Sequence, residues 1–431
     1  MPTTPKYSPL ARHWSRLDQS ATFLNHGSFG ACPDAVLTAQ ATFRDALERE
    51  PVRFMVEELE SLHDQARPRL AAFLGVTNPA DLAFVPNATH GVNAVLRSLD
   101  FKPGDEILTC DHEYNACVNA AKFIADRTGA RVAMARLPWP VESEGQIIEA
   151  LLDAVTERTR LVMLSHITSP TAIVLPIERI QTELRARGIQ LLIDGAHAPG
   201  MIPLDLSSLD PDFYTGNCHK WMCAPKGAAF LFVKRDLQPS IHPAVISHGF
   251  NARSTGRTRF ELEFGWTGTG DPTAYLCVPA AIDTMASIIR EHDPNLASEG
   301  EAWHAIMQLN RELVLDARRT VASALGVAPP VPESMVGSIA TLDLPARDEP
   351  PAPGSTRYHD PMQNELLDRF GIQVPIVPWP DRGVLASAGL VHPGTGFGRA
   401  IRLSAQLYND TSQYRYLAEA LVQVVGRVRE A

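Results

Sequence analysis

The feature that most constrains this chain is an alternation running from residue 81 to residue 233. Short apolar runs recur as DLAFVP (81–86), DEILTC (105–110), RVAMARLP (131–138), TRLVMLSHI (159–167), IQLLIDGAH (189–197) and GAAFLFV (227–233). Helical patterns separate the first five, at 90–99, 115–129, 146–156 and 177–188. Strands that are apolar along their length are buried on both faces, and alternation with helices implies crossover connections. The expected fold class is therefore α/β, a mostly parallel sheet covered by helices.

The flanks differ. Residues 1–30 read as an arm ending in FLNHGSFG, and 33–74 carry apolar residues at mostly helical spacings. The large domain is expected over 31–280. Residues 281–431 read as a smaller α+β domain with two helices up to about 325, a strand at 337–345, a Pro-rich loop at 346–361, and further strand and helix patterns. A chain of 431 residues suits this division into a large and a small domain.

Composition removes several functional classes. The formal net charge of −10 disfavours nucleic-acid binding. Six scattered cysteines form no C-x-x-C pair, which argues against a zinc ribbon, a metal centre or a disulfide scaffold. No apolar run approaches the ~18 residues of a spanning helix. The start of the chain lacks an apolar signal region, so a cytoplasmic location is expected.

In open parallel sheets, ligands lie beyond the carboxyl ends of the strands. Five such ends carry polar clusters: PNATHG (86–91), CDHEYNA (110–116), SHITSPT (165–171), IDGAHAPG (193–200) and TGNCHK (215–220). Taken alone, Asp194 could be a helix cap and Lys220 a lysine reaching to solvent. Together they match the two fixed points of a pyridoxal phosphate site: a lysine that forms a Schiff base and a carboxylate that holds the pyridinium proton. Asn87, Ala88 and Thr89 precede a helix, where amides and the helix dipole favour a phosphate. Asn217 and His219 are further donors for it.

With these motifs in place, the chain resembles the class V branch of fold-type I pyridoxal phosphate enzymes. Within that branch it is similar to the isopenicillin N epimerase-like group, which includes cysteine desulfhydrases and related C–S lyases. The matching segments run in family order from FLNHGSFG to IRLSAQLYN (401–409) and include WTGTGD (266–271). The resemblance implies that Lys220 is the cofactor lysine and Asp194 the ring-nitrogen partner. It puts His197 near the ring or substrate, Tyr114 on the ring face, and Ser169 near the ring oxygen, where many relatives carry Asn. Arg402 matches the arginine that takes the substrate carboxylate, and Asn25 and His26 match a segment folding over the substrate. Gly268 and Thr269 match a loop reaching the neighbouring subunit's phosphate, which implies a homodimer. Arg53 is a weaker anion contact, and Lys226 is structural or phosphate-side.

The implied activity is chemistry at Cα of an amino acid or short peptide-like substrate, with epimerisation first and β-elimination by a C–S lyase as the alternative. A non-catalytic cofactor-binding homologue ranks lower. A desulfurase needs a cysteine in the small domain, and the last cysteine is Cys277. A nicotinamide oxidoreductase would need a G-x-G-x-x-G turn, which is missing.

Overall fold

The computed structural model describes residues 5–253, 256–347, 360–387, 389 and 397–430. Its centre is a seven-stranded sheet of β1 (Leu82–Val85), β2 (Glu106–Cys110), β3 (Arg131–Ala135), β4 (Thr159–Ser165), β5 (Gln190–Gly195), β6 (Phe213–Asn217) and β7 (Ala229–Val233). The spatial order is β1-β7-β6-β5-β4-β2-β3. Neighbours from β6 to β3 run parallel, and β7 is antiparallel to both β6 and β1. The α/β expectation therefore holds. Strand β6 joins the expected set; the sequence marked its carboxyl end but not the strand.

Continuous apolar runs become strands because both faces are covered. Val162 and Leu164 of β4, with Leu191 and Ile193 of β5, pack into one core; Leu161, Met163 and Leu192 pack into the other. Successive side chains point to opposite faces, so one run feeds two layers.

The helical pattern over 33–74 is not one helix. It forms α1 (Asp34–Arg49), a turn at Pro51–Arg53, a π-helical stretch Phe54–Glu58 and α2 (Leu59–Phe73). Pro51 starts a new segment because it lacks an amide hydrogen for the preceding turn. The crossovers are α3 (Ala88–Ser98), α4 (Asn115–Thr128), α5 (Glu144–Asp153) and α6 (Ile177–Ala186).

Helix α3 is set close to the sheet by Gly91, where a Cβ would lie 2.2 Å from Thr215 Oγ1. Its start is capped by Asn87, whose side chain accepts from the His90 amide at 3.0 Å. Close packing and cap together hold the helix N-terminus at the carboxyl edge of β6.

Helices α7 (Val278–His292) and α8 (Glu299–Leu325) lead to the small domain. Its antiparallel sheet contains β8 (Ile339–Arg347), β9 (Ile376–Pro378) and β10 (Phe397–Ser404), in the order β9-β10-β8. Helices α9 (Pro361–Phe370) and α10 (Thr411–Glu430) complete it. The arm is not separate from this body: Thr22–Phe23 pairs in parallel with Ile372–Gln373. Most of the Pro-rich loop lies outside the described residues.

Candidate active site

A cavity of about 570 Å³ opens at the carboxyl edge of the sheet. Asn87, Ala88, Thr89, Tyr114, Ser169, Asp194, His197, Asn217, His219, Lys220 and Arg402 all line it. The ends of β1, β2, β4, β5 and β6, the β6–β7 turn and, for Arg402, β10 of the small domain deliver these residues, and β7, returning antiparallel, brings Lys226 and Gly227 to the same edge.

Lys220 sits in that turn. The amides of Cys218 and His219 both donate to the Ala228 carbonyl, at 3.0 and 3.1 Å, and the Cys223 amide donates to the Lys220 carbonyl at 3.0 Å. From the other side, Gly30 presses on the same backbone. A Cβ there would meet the His219 and Lys220 carbonyl oxygens at 2.6 and 2.7 Å. The lysine therefore hangs from a fixed backbone.

Its amine lies 3.2 Å from His197 Nε2. The Trp221 indole donates to His197 Nδ1 at 3.4 Å. An indole N–H only donates, so Nδ1 is the acceptor and a neutral ring carries its proton on Nε2. That proton needs a lone pair, which the lysine offers only as a neutral amine. Burial, followed by the Arg402 charge, pulls the Lys220 pKa down to about 7. Burial and the Lys220 charge hold His197 well below its ordinary value. The geometry calls for a neutral pair, and burial brings the Lys220 amine to where it is neutral above about pH 7.

Asp194 is buried at the end of β5. Among the described residues its donors are the Ala196 amide, 2.9 Å from Oδ1, and the Cys117 thiol, 3.1 Å from Oδ2. Burial raises its pKa. A buried carboxylate with an amide and a weak thiol donor still has room for a cationic N–H partner.

At the α3 end, the Ala88 amide donates to Asn217 Oδ1 at 2.9 Å. That bond uses the Ala88 donor and the Asn217 oxygen on each other. Among the described residues, the Thr89 amide and hydroxyl and the Asn217 NH₂ remain for an incoming anion. His219 donates through Nδ1 to the Ala228 carbonyl at 2.8 Å. Its Nε2 is then an acceptor in the neutral ring, and burial lowers its pKa to about 4. His219 can donate to a phosphate only once the anion has charged it.

Arg402, in β10, donates from Nη1 to the Ser169 carbonyl at 2.7 Å and to Ser169 Oγ at 3.1 Å, and from Nη2 to Ser28 Oγ at 2.7 Å. The guanidinium is thus aimed by both the arm and the β4 loop.

The expectations for His26, Asn25 and Arg53 change. His26 does not face the cavity: its Nε2 donates to the Lys220 carbonyl at 3.0 Å and its Nδ1 accepts from the Tyr408 hydroxyl at 2.8 Å. It is a buried clamp, with a pKa lowered to about 3 by burial. Asn25 also stands outside the lining, and the arm reaches the cavity through Gly27, Ser28 and Phe29. Gly268 and Thr269 are exposed and line a different cavity of about 260 Å³, which shares Pro86 and His90 with the first. Arg53 is exposed and paired with Glu50 and Glu58. Sequence reasoning missed Ser28 and the buried Glu113; the only signal for either was a place inside a motif already quoted.

The geometry has a counterpart among known proteins. Residues 30–301 match the aminotransferase class-V family. The chain belongs to that family. It is a pyridoxal 5′-phosphate-dependent enzyme. It is 32% identical to isopenicillin N epimerase of Amycolatopsis lactamdurans over 428 residues, covering 96% of this chain and 98% of that protein. It is 26% identical to L-cysteine desulfhydrase of Arabidopsis thaliana, covering 93% and 87%. The fold is also that of the C–S lyase C-DES, whose structure with glycine covalently linked to the cofactor aligns with a TM-score of 0.73 at 22% identity, covering 96% and 98%.

The site of this class-V chain fits the cofactor: a neutral lysine, a buried acid with an unfilled side, and helix-end donors occupy one cavity. Among the described residues, no helix is long and apolar enough to cross a membrane.

Proposed function

We propose that this enzyme epimerises an amino acid at Cα, acting on a free amino acid or on the amino-acid end of a short peptide-like molecule. The observation that carries this is the buried Lys220 amine, 3.2 Å from His197 and in the same cavity as Arg402 and Asp194. Bound pyridoxal phosphate supplies an electron sink for negative charge at Cα. Lys220 would then remove the Cα proton, with reprotonation on the opposite face giving the epimer; His197 would orient the Lys220 amine, and Asp194 would hold the proton of the ring nitrogen. Tyr114 offers a flat face for the ring, Thr89, Asn217 and His219 take the phosphate, and Ser169 stands beside Arg402. The Arg402 fork orients the substrate carboxylate. Kinship to the isopenicillin N epimerases across nearly the whole chain supports epimerisation.

β-Elimination is the second reading, favoured by the similarity to L-cysteine desulfhydrases. It needs the same groups, with loss of a β-substituent in place of reprotonation. All six cysteines are buried and unpaired, and none stands in the small domain. That speaks against a persulfide carrier and supports a reducing, cytoplasmic setting.

We also propose a homodimer. Gly268 and Thr269 lie in an exposed loop that lines one cavity with exposed Val245, next in sequence to exposed Ile246, an apolar surface suited to a second copy. There they would reach the partner's phosphate site.

Proton NMR in heavy water separates the readings. Holoenzyme is incubated with an amino-acid panel that includes L-cysteine and a tripeptide with a free amino-acid end. Deuterium at Cα with mixed stereochemistry and no keto acid supports epimerisation. Pyruvate and ammonia from cysteine support the lyase. Full turnover by Lys220→Ala overturns both.

A further inference from the structure

A carboxyl group that the chemistry above does not use lies behind Asp194. Glu113 immediately precedes the ring-face residue Tyr114 and is 1% exposed. Ligand atoms of Glu113, Cys117 and Asp194 lie within 4.8 Å of one another. Glu113 Oε1 accepts from the Tyr114 amide at 2.7 Å and from the Ser165 hydroxyl; Oε2 accepts from the Ser165 amide at 2.7 Å. Ser165 itself lines the cavity.

Two effects oppose each other here. Three donors favour the Glu113 carboxylate, whereas burial and the neighbouring Asp194 favour the acid. Burial first, then Asp194, outweighs the donors and raises the Glu113 pKa to about 7. The titratable groups around it are Asp194 on β5, Cys117 on α4, and Cys110 and Asp111 at the end of β2, with Lys220 acting through Cys117 and Asp194. Burial pushes both thiols well up, so they stay neutral. Asp111 is raised to about 6 by burial.

We propose that Glu113 is a positioning residue for the ring-nitrogen site: its negative charge, acting through Asp194, strengthens the hold on the ring nitrogen's proton. The inference rests on the reading of Asp194 as the ring-nitrogen partner. When Glu113 holds a proton, Asp194 would be the single anion at the ring nitrogen. When Glu113 releases it, a second negative charge stands behind Asp194, and a protonated ring nitrogen is bound more firmly. Glu113 and Asp194 act as one unit whose charge changes near neutral pH.

The test uses 4-deoxypyridoxine 5′-phosphate, which keeps the ring nitrogen and phosphate but lacks the aldehyde that reacts with Lys220. Its Kd is measured by fluorescence for the wild type and Glu113→Gln at several pH values. The expected Kd ratio, variant over wild type, is near one at acid pH and rises to about tenfold above the Glu113 titration. Lys220 titrates in the same range but is present in both proteins, so it largely cancels in the ratio.

Glu113→Asp keeps the charge and should hold the ratio near one across most of the range. A ratio that is flat with pH overturns the proposal, including the case of a uniform loss, which would mean that Glu113 only supports packing. Should Glu113→Gln not fold, Ser165→Ala removes one donor to the carboxylate and should move the pH profile upward; an unmoved profile overturns the proposal equally. Asp194→Asn is the separate control. If it binds the probe like the wild type, the ring-nitrogen reading itself fails.

Discussion

Lys220 and His197 meet at 3.2 Å as two neutral groups, the imidazole donating and the amine accepting. Trp221 sets this arrangement from behind by occupying His197 Nδ1. Replacing His197 with Phe keeps a ring but removes the donor. The expected result is a fall in kcat/KM of about ten- to a hundredfold, equivalent to about 1.4–2.7 kcal/mol. Steady-state kinetics on the substrate identified by NMR checks it, and an unchanged kcat/KM would remove His197 from the proton path.

Arg402→Lys keeps the charge and loses the fork. The Lys side chain cannot satisfy Ser28, Ser169 and a substrate carboxylate with one planar group. KM is expected to rise about tenfold or more, with a smaller change in kcat. A drop confined to kcat would mean that Arg402 serves the reaction step and not carboxylate binding.

The apoenzyme should gain stability as pH rises above neutral. The Lys220 pKa is about 7 in the folded chain, against an unfolded value of 10.5. Between these values the unfolded chain binds a proton that the native chain lacks, so unfolding becomes harder with increasing pH. Below pH 7 both states carry the proton and the cost of the buried charge is fully present. Lys220→Met should therefore be more stable than the wild type near pH 7, with the difference shrinking towards pH 10. Urea denaturation of cofactor-free protein reads this, and parallel profiles for the two proteins would contradict it. Glu113 contributes an opposite slope, present below its unfolded pKa and lost as pH rises through about 7, so the comparison belongs above that value.

Gly30→Ala should damage the site from a distance. The new methyl would lie within 2.7 Å of two carbonyl oxygens, and backbone yields less readily than a side chain. A loss of about 1–3 kcal/mol is expected, with weaker cofactor retention because the Lys220 backbone must move. Thermal denaturation and cofactor absorbance after gel filtration would show both; retention equal to the wild type would show that the arm can shift independently.

The contrast between Asp194 and Glu113 shows what one sequence reveals. Asp194 ends an apolar strand, and Lys220 stands ahead of another, so both were visible as polar groups at the edge of a core. Glu113 lies beside Tyr114 in a loop, where an acid before a helix is ordinary. Its burial comes from Ser165, on a strand 52 residues away, and no local pattern carries that. His26 is the reverse case. Its motif placed it in the right segment, but the direction of its ring depends on Tyr408 and on the Lys220 carbonyl, both distant in sequence. The break at Pro51 was hidden because apolar spacing continues across it, and the pairing of Thr22–Phe23 with the small domain is too short to leave a period.

That pairing has a consequence for biosynthesis. The arm meets the chain again at Ile372 and Gln373, and Ser28 meets Arg402 at 2.7 Å. During translation the first thirty residues emerge long before their partners exist. The sheet that holds Asp194 and Lys220 can assemble from residues made earlier, but the carboxylate fork and its arm contact must wait for β10. A nascent chain released before that strand would carry a lysine and its acid without the lock on the substrate. Its amine would stand open to whatever aldehyde the cell supplied.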